Sequence, residues 1–185
     1  MSKKSSKIMI LETAEDLFSR NGFEGTSVDS IAKKANVNKA LIYYYFENKE
    51  DILSSIFLNV QEELIEHLKT EISDNKLDLR NKLKNEIIYL RGKKNVISLI
   101  LMESLKENQG NFLFKNAEIA IKNNQSCDDQ NKRVSEKIYI KEFFTGFIPL
   151  LNYIAFEDKL CEYLNCSKDN AMNYFLESFI SSHFK

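Results

Sequence analysis

Lys39, Tyr43, Tyr44, Tyr45 and Lys49 fall within one short stretch of a 185-residue chain, Lys-Ala-Leu-Ile-Tyr-Tyr-Tyr-Phe-Glu-Asn-Lys. Ammonium and phenol groups at this density are donors that suit phosphate oxygens and the acceptor edges of bases. Lys39 can donate to guanine O6 or N7, and Leu41 can meet a thymine methyl. Ala40 is small enough for close backbone approach. The charge distribution agrees. Net charge is −1, yet residues 33–49 hold four lysines (Lys33, Lys34, Lys39, Lys49) against the single acid Glu47. Lys3, Lys4 and Lys7 add a basic arm. Positive charge is therefore local, as a DNA footprint requires, although a solvated helix face would carry it equally well.

Catalytic chemistry finds little support. His67 and His183 are the two histidines, and no Gly-rich phosphate loop, nucleophile elbow or HExxH motif occurs. No catalytic residue, metal ligand or cofactor is expected. Cys127, Cys161 and Cys166 form no CxxC pair. An odd count without a secretion signal predicts reduced thiols in a cytoplasm. A zinc site from Cys161, Cys166 and His183 would need unusual geometry. The basic start leads only into Ile8–Leu11 before Glu12, which is too short for a signal peptide. No apolar run reaches the ~18 residues of a membrane span, so no membrane partner is expected.

Helices must position the lysine–tyrosine stretch. Five glycines and one proline, with 43% hydrophobic and 29% charged residues, favour an all-α fold with short connections. Residues 1–5 read as an arm. A first helix over 6–20 buries Ile10, Ala14, Leu17 and Phe18, and Asn21-Gly22 ends it. Phe23 drops into a small core. Thr26 or Ser27 caps a second helix, Asp29 favours its dipole, and Val28, Ile31, Ala32 and Ala35 form its inner side. Asn36 takes the positive φ of a tight turn. Asn38 caps a third helix over 39–46, held by Ile42 and Phe46. A fourth helix over 49–73, roughly 37 Å long, buries Ile52, Leu53, Ile56, Val60, Leu64 and Leu68. Further helices are expected at 77–92, 94–108, 111–124, 135–156 and 168–183. A turn of helix is expected at 159–164 and a mobile polar loop at 123–131. Gly146 and Pro149 predict a kink near the Thr145 carbonyl, a packing bend that can also open a cavity.

From Ile10 to Leu53 the spacing of Ala14, Leu17-Phe18, Asn21-Gly22-Phe23, Thr26-Ser27, Ile31-Ala32, Ala35, Val37, Ile42-Tyr43, Phe46 and Lys49 resembles the N-terminal domain of the TetR family of transcriptional regulators. The resemblance implies a homodimeric, ligand-responsive helix-turn-helix protein, usually a repressor of a double-stranded DNA operator. It implies a DNA-binding head at 1–48 and a helical ligand-binding and dimerisation body at 49–185. The third helix would enter the major groove with Asn38, Lys39, Ala40, Leu41, Tyr43, Tyr44 and Tyr45. Thr26, Ser27 and Val28 would lie near a phosphate, and Lys49 would contact the backbone. Where the family commonly has Gly, Ser or Thr, Gly and Thr, this chain has Asn36, Asn38, Ala40 and Leu41. The operator sequence therefore does not follow.

For the body, the resemblance implies an unidentified small-molecule effector and a dimer built by the last two long helices. Tyr89, Met102, Phe112, Phe114, Phe143, Phe147 and Tyr153 are candidate pocket residues, although each also fits an ordinary core. Met172, Phe175, Leu176, Phe179 and Ile180 form a stripe suited to a four-helix interface. Glu103, inside an apolar run, is expected exposed or capped. The competing class is a ligand-binding or adaptor protein that keeps the head as a structural unit without regulatory DNA binding.

Overall fold

Two left-handed backbone positions set the corners of the N-terminal helices. Gly22 (φ 73°) ends the first helix and Asn36 (φ 52°) forms the turn between the second and third. In Asn36 a short polar side chain occupies a conformation that costs most L-residues ~1–2 kcal/mol. The computed structural model describes residues 3–71, 78–106, 111–124 and 134–183. Among these, all regular structure is helical: α1 (Lys3–Asn21), α2 (Val28–Lys34), α3 (Lys39–Tyr45), α4 (Lys49–Glu71), α5 (Leu79–Arg91), α6 (Lys94–Ser104), α7 (Phe112–Asn124), α8 (Glu136–Glu142), a π-helical turn (Phe143–Phe147), α9 (Ile148–Leu164) and α10 (Lys168–His183).

The caps explain why the short helices start where they do. Ser27 accepts from the Ser30 amide at 3.0 Å while Ser30 Oγ accepts from the Ser27 amide at 3.1 Å, a reciprocal capping box. Asn38 Oδ1 accepts from the Leu41 amide at 2.7 Å and fixes the start of α3. Ile10, Ala14, Phe18, Phe23, Ile31, Ile42 and Phe46 then close a small core, continued along α4 by Ile52, Leu53, Ile56 and Phe57. One helix thus serves two bodies. α4 packs on α1 at its start and on α5 and α7 further along, while α6 also touches α1.

Four boundaries differ from the sequence expectations. α1 is helical from Lys3, inside the expected arm. α6 ends at Ser104, short of residue 108. The helix expected at 135–156 is interrupted by the π turn, where the Ile148 amide bonds to the Phe143 carbonyl five residues back. The widened turn lies just before Pro149, which has no amide to donate. The separate turn expected at 159–164 is the end of α9. Asn165 (φ 50°) closes that helix, with its amide on the Glu162 carbonyl and that of Cys166 on Cys161. The loop expected at 123–131 lies, beyond the end of α7, outside the described residues, as does Cys127. No helix among the described residues is long and apolar enough to cross a membrane.

Candidate nucleic-acid interface and body cavity

Ile42 is buried on α3 and Phe46 is buried just after it, so the opposite side of this two-turn helix faces solvent. Lys39 and Ala40 are exposed there, with Tyr43 51% and Tyr44 63% accessible. Tyr45 turns inward and is half-buried against the core, in edge contact with Tyr44 at 5.0 Å. Leu41 is half-buried. Lys39 Nζ lies 2.8 Å from Asp29 Oδ2 and 6.0 Å from the Tyr43 ring centroid. The Asp29 carboxylate raises the Lys39 pKa above its ordinary value, so this ammonium stays charged. The arrangement presents a cation, two phenols and one small side chain on a rigid helix.

The neighbouring residues divide by where their polar groups point. Ser27 is exposed, and Val28 packs against the core edge. Thr26 does not join the exposed face. It is 1% accessible, its hydroxyl donates to the Gly22 and Leu17 carbonyls, and its amide bonds to Phe23. Its side chain therefore packs within the head and does not face solvent. Lys49 donates to the Phe23 carbonyl at 2.8 Å, with its ammonium 4.1 Å from the Phe23 ring centroid. Glu24 lies 3.8 Å from that ammonium and pairs with Lys106 at 2.9 Å, linking the α1–α2 loop to the end of α6. Lys106 also sits 2.8 Å from Glu103, which is buried rather than exposed.

Between α4, α5, α7 and the π turn lies a cavity of about 120 Å³. Its wall is mainly apolar, with Phe57, Leu64, Leu90 and Leu151 among the lining residues. Three polar side chains interrupt it: Gln61, Glu86 and Glu142. Of the expected pocket residues, Phe147 lines this cavity. Tyr89, Met102, Phe114, Phe143 and Tyr153 are placed elsewhere because residue type does not fix direction. Tyr89 donates to Glu63 and stacks on His67, and Tyr153 bonds Glu157 and stacks on Phe175. Phe143 is buried among Tyr139, Phe114 and Phe147, while Phe114 and Met102 are largely exposed. The Phe112 side chain lies outside the described residues. Glu86 was legible as an anomaly of register: half-buried, it sits beside the buried stripe of Leu83, Ile87 and Leu90 on α5.

The expected dimer stripe turns largely inward. Met172, Leu176 and Phe179 are buried within this chain's own core, with Phe175 and Ile180 packed against it. The outward apolar groups are instead Phe156, Leu160, Tyr163 and Leu164 on α9 and Tyr174 on α10, with Tyr163 87% accessible.

Comparison with known proteins bears on the first of these sites. Residues 10–56 match the family model described as bacterial regulatory proteins, tetR family. Over 75 residues the chain is 39% identical to the fatty acid metabolism regulator protein of Bacillus subtilis, covering 40% of this chain and 39% of that one. Over 69 residues it is 38% identical to IcaR of Staphylococcus epidermidis, a negative regulator of the icaADBC biofilm operon, covering 37% of each chain. The matched stretches thus span about two fifths of these relatives. Across nearly the whole fold, the crystal structure of B. subtilis FadR in complex with stearoyl-CoA superposes with a TM-score of 0.62 at 22% identity, covering 94% of this chain and 97% of that one. FadR from Bacillus halodurans gives 0.60 at 20% identity, covering 92% and 94%. Residues 10–56 thus carry the head described by the tetR family of bacterial regulatory proteins, and the chain as a whole shares the all-helical fold of the FadR structures.

Proposed function

We propose that the chain is a homodimeric cytoplasmic repressor that grips a palindromic operator and releases it when a small molecule occupies the body. The observation that carries the reading is the outer side of α3, where Lys39, Ala40, Tyr43 and Tyr44 stand exposed on a helix pinned by Ile42 and Phe46. Lys39 is the base-edge donor, Leu41 the methyl contact, and Tyr43 and Tyr44 the phosphate donors. Asn38 and Ser27 flank them, and Tyr45 supports the helix from its inner edge. Two copies would associate through Phe156, Leu160, Tyr163, Leu164 and Tyr174, setting the two recognition helices one groove-turn apart.

Release would run along α4. Phe57, Val60, Gln61 and Leu64 line the cavity, and Lys49 on the same helix holds the Phe23 carbonyl of the head. The functional division falls at 48/49. A ligand that prefers the shifted α4 lowers operator affinity by that preference, and by no more. The bound stearoyl-CoA belongs to the B. subtilis structure; at 22% identity it does not carry over as this chain's effector.

The test is gel retardation of fragments from the region upstream of the chain's own coding sequence. One fragment should be retarded specifically, with two copies per site. A folded dimer that retards none favours the adaptor reading.

A further inference from the structure

The body cavity carries a chemical preference of its own. Its polar lining consists of the carboxyl groups of Glu86 on α5 and Glu142 on α8 and the amide of Gln61 on α4. Gln61 is 8% accessible and donates through Nε2 to the Asn116 carbonyl at 3.2 Å, which fixes the amide's orientation. Its Oε1 is buried and has no hydrogen-bond partner among the described residues. A buried acceptor without a donor costs free energy that a ligand N–H would recover. No lysine, arginine or histidine is among the residues that line the cavity; Lys141 reaches Glu142 from outside it, at 3.5 Å.

This set is selective by sign. Two carboxyl groups against an apolar wall disfavour an entering anion by repulsion and by desolvation. They favour a cation, because pairing recovers part of the cost of keeping a carboxylate out of water. Burial pushes the Glu86 carboxyl up to about 7, as expected of an acid that lacks a nearby positive charge. The apolar remainder, with Phe57, Phe147 and Phe179 among it, suits a hydrocarbon or aromatic body.

We propose that this cavity takes a small lipophilic amine in its ammonium form, its charge received by Glu86 and Glu142, one N–H by Gln61 Oε1, and its hydrocarbon part by the apolar wall. The π turn supports this use of the space. Glu142 immediately precedes it, Gly146 and Phe147 lie in it, and all three line the cavity. Such turns are frequent at functional sites because they re-aim the side chains around them. The inference rests on the ligand-responsive reading above and names the class of its effector.

The test uses the full-length chain and three probes with the same six-carbon tail: hexylamine, hexan-1-ol and hexanoate, titrated calorimetrically at pH 7.5. Hexylamine should bind at least tenfold more tightly than hexan-1-ol, and hexanoate most weakly. The Glu86→Gln, Glu142→Gln double variant should lose at least tenfold for hexylamine and keep its affinity for hexan-1-ol. Equal or tighter binding of hexanoate or hexan-1-ol overturns the proposal, as does the absence of hexylamine binding. If the double variant fails to fold, the wild-type series alone decides. A parallel operator-binding assay separates the two readings. Hexylamine binding without any change in operator affinity keeps the cation site and overturns release. Operator release by hexanoate or hexan-1-ol, with no hexylamine binding, does the reverse.

Discussion

Lys49 Nζ donates to the Phe23 carbonyl at 2.8 Å, so the first residue of α4 is fastened to the loop between α1 and α2. The same ammonium lies 4.1 Å from the Phe23 ring centroid, and the ring itself is buried in the head core. A charge-assisted hydrogen bond and a cation–π contact on one side chain are together worth about 1–2 kcal/mol at this partly shielded position. Lys49→Met should therefore lower the urea midpoint of the full chain by a corresponding amount, at unchanged slope. An unchanged midpoint would remove the staple from the account. Because the staple joins α4 to the head, the variant should also blunt any ligand effect on DNA.

Asp29 holds Lys39 in an exposed ion pair at 2.8 Å on the side proposed to meet DNA. Such a pair contributes little to stability, but its carboxylate repels phosphate and competes for the lysine. Asp29→Asn should tighten binding to operator and to unrelated duplex alike, about three- to tenfold at low salt, with the melting temperature shifted only slightly. Fluorescence anisotropy on both duplexes checks this. Weaker binding would show that the Asp29 carboxylate is needed to aim Lys39.

Glu86 carries a pH signature. Its carboxyl is raised from 4.5 to about 7 by burial, so the folded chain binds this proton more tightly than the unfolded chain does. By linkage, stability is greatest below the unfolded value and falls as pH rises from about 4.5 through about 7, by up to about 3 kcal/mol. Denaturant midpoints at pH 5.5 and 8 should thus differ in favour of pH 5.5 by more in the wild type than in Glu86→Gln. Parallel pH profiles in the two proteins would contradict the assignment.

Two variants, one on each of two neighbouring helices, should have different effects. Tyr163 projects from α9, whereas Leu176 on α10 is 1% accessible. Leu160→Glu with Tyr163→Glu should yield a folded monomer in sedimentation, with a helical circular dichroism spectrum. Leu176→Ala should cost about 2–5 kcal/mol of stability through the cavity it leaves. A dimer that survives the α9 charges would move the interface elsewhere.

The head was legible because local chemistry dictates it. Asn36 tolerates a left-handed turn, Ser27 and Asn38 cap, and Ile42 with Phe46 leave one side for solvent. Thr26 escaped the reading because a cap-like residue type does not reveal that its hydroxyl bonds backward, to Leu17 and Gly22. In the body the signal was ambiguous in kind. The α10 stripe has helical period whether it meets its own chain or a partner, and the structure places it inward. α9 is apolar on more than one side, so its second face, Phe156 to Leu164, could not be told from core by composition. Aromatic residues suggested a pocket, but direction decides lining. The informative residues were polar ones, Gln61 at a core register and Glu86 beside one.

The outer side of α3 is the surface proposed to read DNA. The most direct test of that role is the affinity of wild type and of the Lys39→Ala, Tyr43→Phe double variant for the chain's own upstream site, across a salt series. The double variant should lose at least tenfold in affinity, with a log–log salt slope shallower by at most about one, since a single charge is removed. An unchanged affinity and slope in the folded variant would contradict that role.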